Sequence, residues 1–146
     1  MDVELVRTLE MLGQRCSGRE GKCWMAQKPM FLIGSPVCIV FSSLQAMNNA
    51  ARDPEVVRRE YLQAMIHFRF VCELYAMQIE VGRYFVHEHP HAATSRQELC
   101  IQKILQEERV EVSVMDQCQY GQGTLNGEPT RKSSKWMSSS SVPWKC

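Results

Sequence analysis

Apolar and polar positions alternate in two different rhythms along this chain, and the switches between them predict its elements. From Val57 the apolar positions Val57, Tyr61, Met65, Phe68, Cys72, Tyr75 and Ile79 recur at steps of three and four. That is the period of an amphipathic helix. Asp53 and Pro54 stand just before the stripe, a favourable N-cap followed by a favourable first residue, and Gly82 stands just after it as a stop. The pattern predicts one long helix from Pro54 to Val81, about 42 Å if straight, with room to bend. A shorter stripe (Leu5, Val6, Leu9, Leu12) predicts a helix over Asp2 to Leu12, and residues 14–28 read as a loop.

The second rhythm is that of strands. Met30 to Ile33 is a short continuous apolar run, which reads as a strand buried on both faces. Tyr84 to Val86 reads as another, running into HEHPH. Val110, Val112 and Val114 alternate with Glu111 and Ser113 and read as a third, leading into DQCQYG. Ser95 and Glu98 have the spacing of a capping box before Leu99, Ile101, Ile104 and Leu105, predicting a short helix. From Met30 the order is strand, helix, strand, helix, strand. Such alternation predicts an α/β fold with a mainly parallel sheet of three to five strands. Ligand sites in such sheets lie beyond the carboxyl ends of the strands. The polar clusters SPVC, HEHP and DQCQYG all follow strand ends. The predicted organisation is an N-terminal helix and loop (1–28), an α/β domain (29–127) and a basic, serine-rich flexible tail (128–146) in which Trp136 and Met137 form at most a short strand.

Composition narrows the class. The 146 residues are 45% hydrophobic, and 17 basic against 16 acidic side chains leave a net charge of +1, which excludes nucleic-acid binding by bulk charge. No apolar run is long enough to span a bilayer, and no secretory signal is expected. The seven cysteines are irregularly spaced and contain no Cys-x-x-Cys, so they read as reduced thiols of an intracellular protein.

Two residues stand out as chemistry. Cys38 lies at the exit of the first strand, where a thiol can act as a nucleophile. Glu88 lies at the end of the next strand, where apolar neighbours would favour its protonated form and let it donate to a heteroaromatic nitrogen. His87, Glu88, His89 and His91 also invite a metal site. On a strand, though, His87 and His89 share one side and Glu88 takes the other, which gives half a zinc site unless Asp116 or Cys118 contributes. No metal is favoured.

These residues also carry a resemblance. GSPVCIVFS resembles the nucleophile segment of the cytosine-5 DNA methyltransferases, usually Pro-Pro-Cys followed by Phe-Ser, and FVHEHP resembles that family's Glu-Asn-Val segment. The resemblance implies a truncated Rossmann-like class I methyltransferase fold. In it Cys38 would attack C6 of a flipped cytosine while Glu88 contacts the ring. It further implies S-adenosylmethionine against Gly34, Ser35 and Pro36, and DNA against Phe41, Ser42, His89, Asp116 and Gln117. Longer strings (FLIGSPVCIVFSSLQ, LYAMQIEVGRYFVHEHPHAATS, DQCQYG and KSSKWMSSS) look like a segment of retrotransposon-type polyproteins of dinoflagellates and other protists. That implies a fragment of a mobile-element polyprotein. The departures are specific. Val37 replaces a proline, His89-Pro90 replaces Asn-Val, and no strand with a glycine-rich cofactor loop precedes Met30. A chain with half a cofactor site is expected not to methylate DNA by itself. The alternatives are a non-enzymatic interaction or remnant domain, and a metal-dependent hydrolase or nuclease-like site on HEHPH. A sheet lacking its leading strands is also expected to self-associate through its exposed edge.

Overall fold

The computed structural model describes residues 28–140. The expected helix over Asp2 to Leu12 and the loop to Gln27 lie outside the described residues, as do residues 141–146. The chain divides after Met30, and the architecture below is that of the unit beginning at Phe31. Its elements are β1 (Phe31–Gly34), a 3-10 turn (Ile39–Phe41), α1 (Ser43–Asn49), α2 (Pro54–Glu80) and β2 (Tyr84–Pro90). A 3-10 turn (Thr94–Gln97), α3 (Leu99–Leu105), β3 (Glu111–Asp116), a 3-10 turn (Gln117–Tyr120) and β4 (Ser133–Ser138) follow.

α2 is the long helix that the stripe predicts, 27 residues without a break. The Asp53 side chain accepts the Glu55 N–H at 2.8 Å, and Pro54 takes the first turn. The helix ends in a left-handed cap. Gly82 has φ 73°, and the Arg83 N–H returns to the Gln78 carbonyl at 2.8 Å. The face of α2 that carries Met65, Phe68, Cys72 and Tyr75 is buried. With Phe41, Phe85, Ile101, Ile104 and Met137 it forms the core. Tyr75 stacks on Phe85 with ring centroids 4.4 Å apart.

The sheet overturns the expected parallel, Rossmann-like arrangement. It has four strands in the order β1-β2-β4-β3. Only β1 and β2 are parallel, and β4 runs antiparallel to both β2 and β3. The physical reason lies between β3 and β4. Residues 117–132 contain a 3-10 turn, Gly121 in the left-handed region and a Gly123–Pro129 bridge, but no helix. A connection without a crossover helix turns the chain back antiparallel. It inserts the serine-rich segment beside β2, so the stretch expected to be a flexible tail supplies an interior strand over Ser133–Ser138. Ser134, Ser138 and Ser139 of this segment are buried, and their hydroxyls find partners. Ser138 Oγ donates to the Phe85 carbonyl at 3.0 Å, and Ser139 Oγ accepts the Phe85 N–H at 3.0 Å.

Further expectations change with the sheet. β1 is not buried on both faces. Among the described residues it is an edge strand, and Ile33 is 73% exposed. Ser95 does not cap α3. Glu98 holds that position without a side-chain bond, and the Ser95 hydroxyl is drawn to His89 instead. Among the described residues, no helix is long and apolar enough to cross a membrane.

Candidate functional site

Because β3 is antiparallel to β4 and β4 to β2, strands β1, β2 and β3 all point the same way. Their carboxyl ends therefore meet at one rim of the sheet, with the start of β4 among them. The three polar clusters share that rim even though the sheet is mixed.

Strand alternation divides the rim into two sides. On the side covered by α2 lie His87 and His89, both buried, with ring centroids 4.8 Å apart. His89 Nε2 is 3.0 Å from the Pro36 carbonyl, and Nδ1 is 2.6 Å from Ser95 Oγ. A carbonyl only accepts, so Nε2 carries the proton and Nδ1 accepts from the serine hydroxyl. Burial pushes the His89 pKa down, while the Pro36 bond and Glu88 oppose the shift. His87 pairs through Nδ1 with the Tyr75 hydroxyl at 3.0 Å, and its Nε2 is buried without a hydrogen-bond partner. Burial, with smaller effects of His89 and Arg96, pushes the His87 pKa down to about 3, so the ring is neutral. Phe68 packs against both imidazoles.

On the other side of the sheet, Glu88 accepts two hydroxyl bonds. Ser35 Oγ donates to Oε2 at 3.0 Å, and Ser134 Oγ donates to Oε1 at 2.6 Å. Gln117 Nε2 donates to Ser134 Oγ at 3.0 Å. A single network thus joins the exits of β1, β2 and β3 through the start of β4. Its carboxylate acts as an acceptor for neighbouring hydroxyls of the same chain.

The residues singled out from the sequence are therefore only partly brought together. Ser35, Glu88 and Gln117 share this network. Cys38 is at the same rim but opens onto a separate pocket of about 250 Å³ lined by Ile39, Ser42, Leu44, Pro90 and Ala93, and Glu88 is not among its walls. Ser42 precedes α1 and lines that same pocket. Phe41 is a core residue, 5.1 Å from the Phe68 ring. The loop expected to face a cofactor is engaged internally. Gly34 lies against the Tyr75 ring, Ser35 bonds Glu88, and the Pro36 carbonyl bonds His89. Asp116 pairs with Arg131 at 3.1 Å. Among the described residues, no group of three or more His, Cys, Asp or Glu side chains is arranged to hold a metal.

Sequence reasoning missed Tyr75 as a polar partner, and it missed Ser95 and Ser134. Tyr75 reads as core because it stands in the apolar stripe. Ser134 lies in a low-complexity run whose only strand signal is the Trp136-Met137 pair beside it. No family model matches the chain, and neither does any curated protein or solved structure.

Proposed function

We propose that this domain is a non-enzymatic interaction module that pairs with a second copy of its own chain through the open edge of β3. The observation that carries the reading is the state of that strand. Among the described residues, β3 is paired with β4 alone. Val112 and Val114 point to the same side of the sheet and are 40% and 51% exposed. Glu111–Asp116 holds no proline or glycine, and only its two end residues are charged. Edge strands that avoid pairing usually carry lysine, proline or a bulge. An antiparallel two-fold pairing centred on Ser113 would place Val112 opposite Val114 of the second copy, bury both, and keep the two Glu111 side chains apart.

The rim supports the same reading. Both oxygens of Glu88 and both nitrogens of His89 are committed to bonds within the chain. Glu88 and His89 belong to the catalytic and metal-binding alternatives, and their engagement within the chain favours a structural role for them.

Sedimentation velocity across two decades of protein concentration tests the proposal. The expected result is a monomer–dimer equilibrium that Val114→Lys shifts to monomer. S-adenosylmethionine and a cytosine-containing DNA duplex are expected to leave the melting temperature unchanged. A wild-type chain that stays monomeric throughout the range overturns the reading. A ligand-dependent rise in melting temperature returns weight to a cofactor or DNA site.

A further inference from the structure

His89 stands where three segments meet. β2 carries it to the rim, and its ring is buried there. Nε2 donates at 3.0 Å to the Pro36 carbonyl, in the loop after β1. Nδ1 accepts at 2.6 Å from the Ser95 hydroxyl, in the 3-10 turn after β2. A further bond spans the same two outer segments, from Thr94 Oγ1 to the Phe41 carbonyl at 3.2 Å. The pocket beside Cys38 lies between them. Cys38, Ile39 and Ser42 stand on one wall, and Pro90, Ala92 and Ala93 on the other. His89 therefore ties together the two chain segments that carry the walls of this pocket.

The pairing suits only the neutral ring. A carbonyl cannot donate, so Nε2 keeps its hydrogen and Nδ1 stays bare. A proton arriving at Nδ1 would turn Ser95 from donor into acceptor. The Ser95 hydroxyl is fully buried, and among the described residues the His89 bond is its one side-chain bond. Its own hydrogen would be left unpaired, and an imidazolium would be held away from water. Parting the two walls relieves both costs, because water then reaches the ring and the hydroxyl. We propose that His89 is a proton-operated clamp on the Cys38 pocket: the neutral ring holds the two walls together, and protonation releases them.

The charged and titratable groups around the ring come from several segments. β2 contributes His87, with ring centroids 4.8 Å apart, and Glu88 on the opposite side of the sheet. β4 contributes Lys135, the register partner of His89. Arg96 follows Ser95 in the 3-10 turn, and Cys38 lies beyond Pro36 in the other wall. α2 presents the uncharged Phe68 ring at 5.7 Å. Of these groups, Glu88 is the one that favours the charged ring. The size of the response follows from linkage. Burial lowers the His89 pKa in the closed form, against the Pro36 bond and Glu88, whereas a ring open to water binds its proton at the ordinary value of 6.5. Between pH 7.5 and pH 5.5 the open fraction therefore rises by up to about tenfold.

The Phe41 and Ala93 amides report on the two walls, since each is bonded at 3.0 Å to a carbonyl of its own segment, Cys38 and Pro90. The test follows amide hydrogen exchange of the full chain at pH 7.5 and pH 5.5, with each rate divided by its intrinsic value at that pH. Phe41 and Ala93 are expected to exchange faster than the buried face of α2 at both values. Their corrected rates are expected to rise by up to about tenfold at the lower pH, and His89→Gln is expected to abolish that rise. Should the variant fail to fold, the wild type still decides. Its rise is expected to level off at the pH where the His89 ring resonance titrates, and a rise that continues unbroken below that point overturns the proposal. So does a wild-type ratio that does not change with pH, or a rise that His89→Gln keeps in full. Exchange of Phe41 and Ala93 no faster than that of α2 also overturns it, because the walls would then part only when the domain unfolds.

Discussion

Gly34 is the position where one added carbon should do the most damage. It ends β1 opposite His87 and faces the α2 side of the sheet. A Cβ built there would land on the Tyr75 hydroxyl oxygen and come within 2.9 Å of Cζ. Tyr75 has nowhere to go, because it is fully buried and stacked on Phe85 at 4.4 Å. Overpacking of this kind costs about 1–3 kcal/mol. Displacing the hydroxyl also breaks the 3.0 Å bond to His87 Nδ1 and leaves that buried imidazole with neither nitrogen paired, since Nε2 already lacks a partner. A stranded buried polar group costs a further 1–3 kcal/mol or so. Gly34→Ala is therefore expected to lose roughly 2–6 kcal/mol, a large share of the ~5–15 kcal/mol typical of a domain. Urea unfolding followed by far-ultraviolet circular dichroism reads this directly. The cause is isolated by a double-mutant cycle with Tyr75→Phe, which removes the oxygen but keeps the ring. Gly34→Ala should cost at least about 1 kcal/mol less in the Tyr75→Phe background. A loss under about 0.5 kcal/mol in the single variant, or strict additivity in the cycle, would refute the packing argument.

Other consequences follow from the same rim. His87 is neutral in the folded chain, with its pKa depressed to about 3, and takes up a proton on unfolding below its ordinary value of about 6.5. Its stabilising contribution is complete above that value and is lost as pH falls from about 6.5 toward 3, at up to about 1.4 kcal/mol per unit. Unfolding free energies at pH 6.5 and pH 5 should therefore differ by about 1.6 kcal/mol from this group, with the slope reduced in His87→Gln; an unchanged slope in that variant would assign the acid sensitivity elsewhere. Glu88→Ala leaves the buried Ser134 hydroxyl without its 2.6 Å acceptor and should cost about 1–3 kcal/mol in the same denaturation assay. Cys38→Ala, at a thiol lining a surface pocket, should cost distinctly less, and equal losses would contradict the separation of the two residues.

What the sequence made legible follows a physical divide. α2 announced itself because one face is apolar over seven turns and its caps use residue types suited to few other places. The shared rim of SPVC, HEHP and DQCQYG was also legible, because the order of strands and helices constrains strand direction whether or not neighbours are parallel. The position of β4 was not legible. Strand burial is normally read from apolar content, and Ser134 and Ser138 are buried on the strength of hydroxyl bonds to Glu88 and Phe85. Those partners are 46 and 53 residues away in the chain. Ser95 failed for the complementary reason. Its spacing to Glu98 satisfied a local rule, and a buried imidazole outbid the helix terminus for its hydroxyl. Strand alternation already set Glu88 on the opposite side of the sheet from His87 and His89, yet the sequence could not show that two serines hold Glu88 there, nor that Cys38, four residues beyond β1, opens onto a separate pocket.

Amide hydrogen exchange along β3, followed as a function of protein concentration, tests the interaction reading most directly. β4 can satisfy only alternate backbone groups of residues 111–116, so the outward-facing amides of an unpaired edge exchange quickly. Protection of these amides is expected to rise with concentration, with the same midpoint as sedimentation, and to disappear in Val114→Lys. Outward amides of β3 that exchange equally fast at every concentration would contradict the interaction reading.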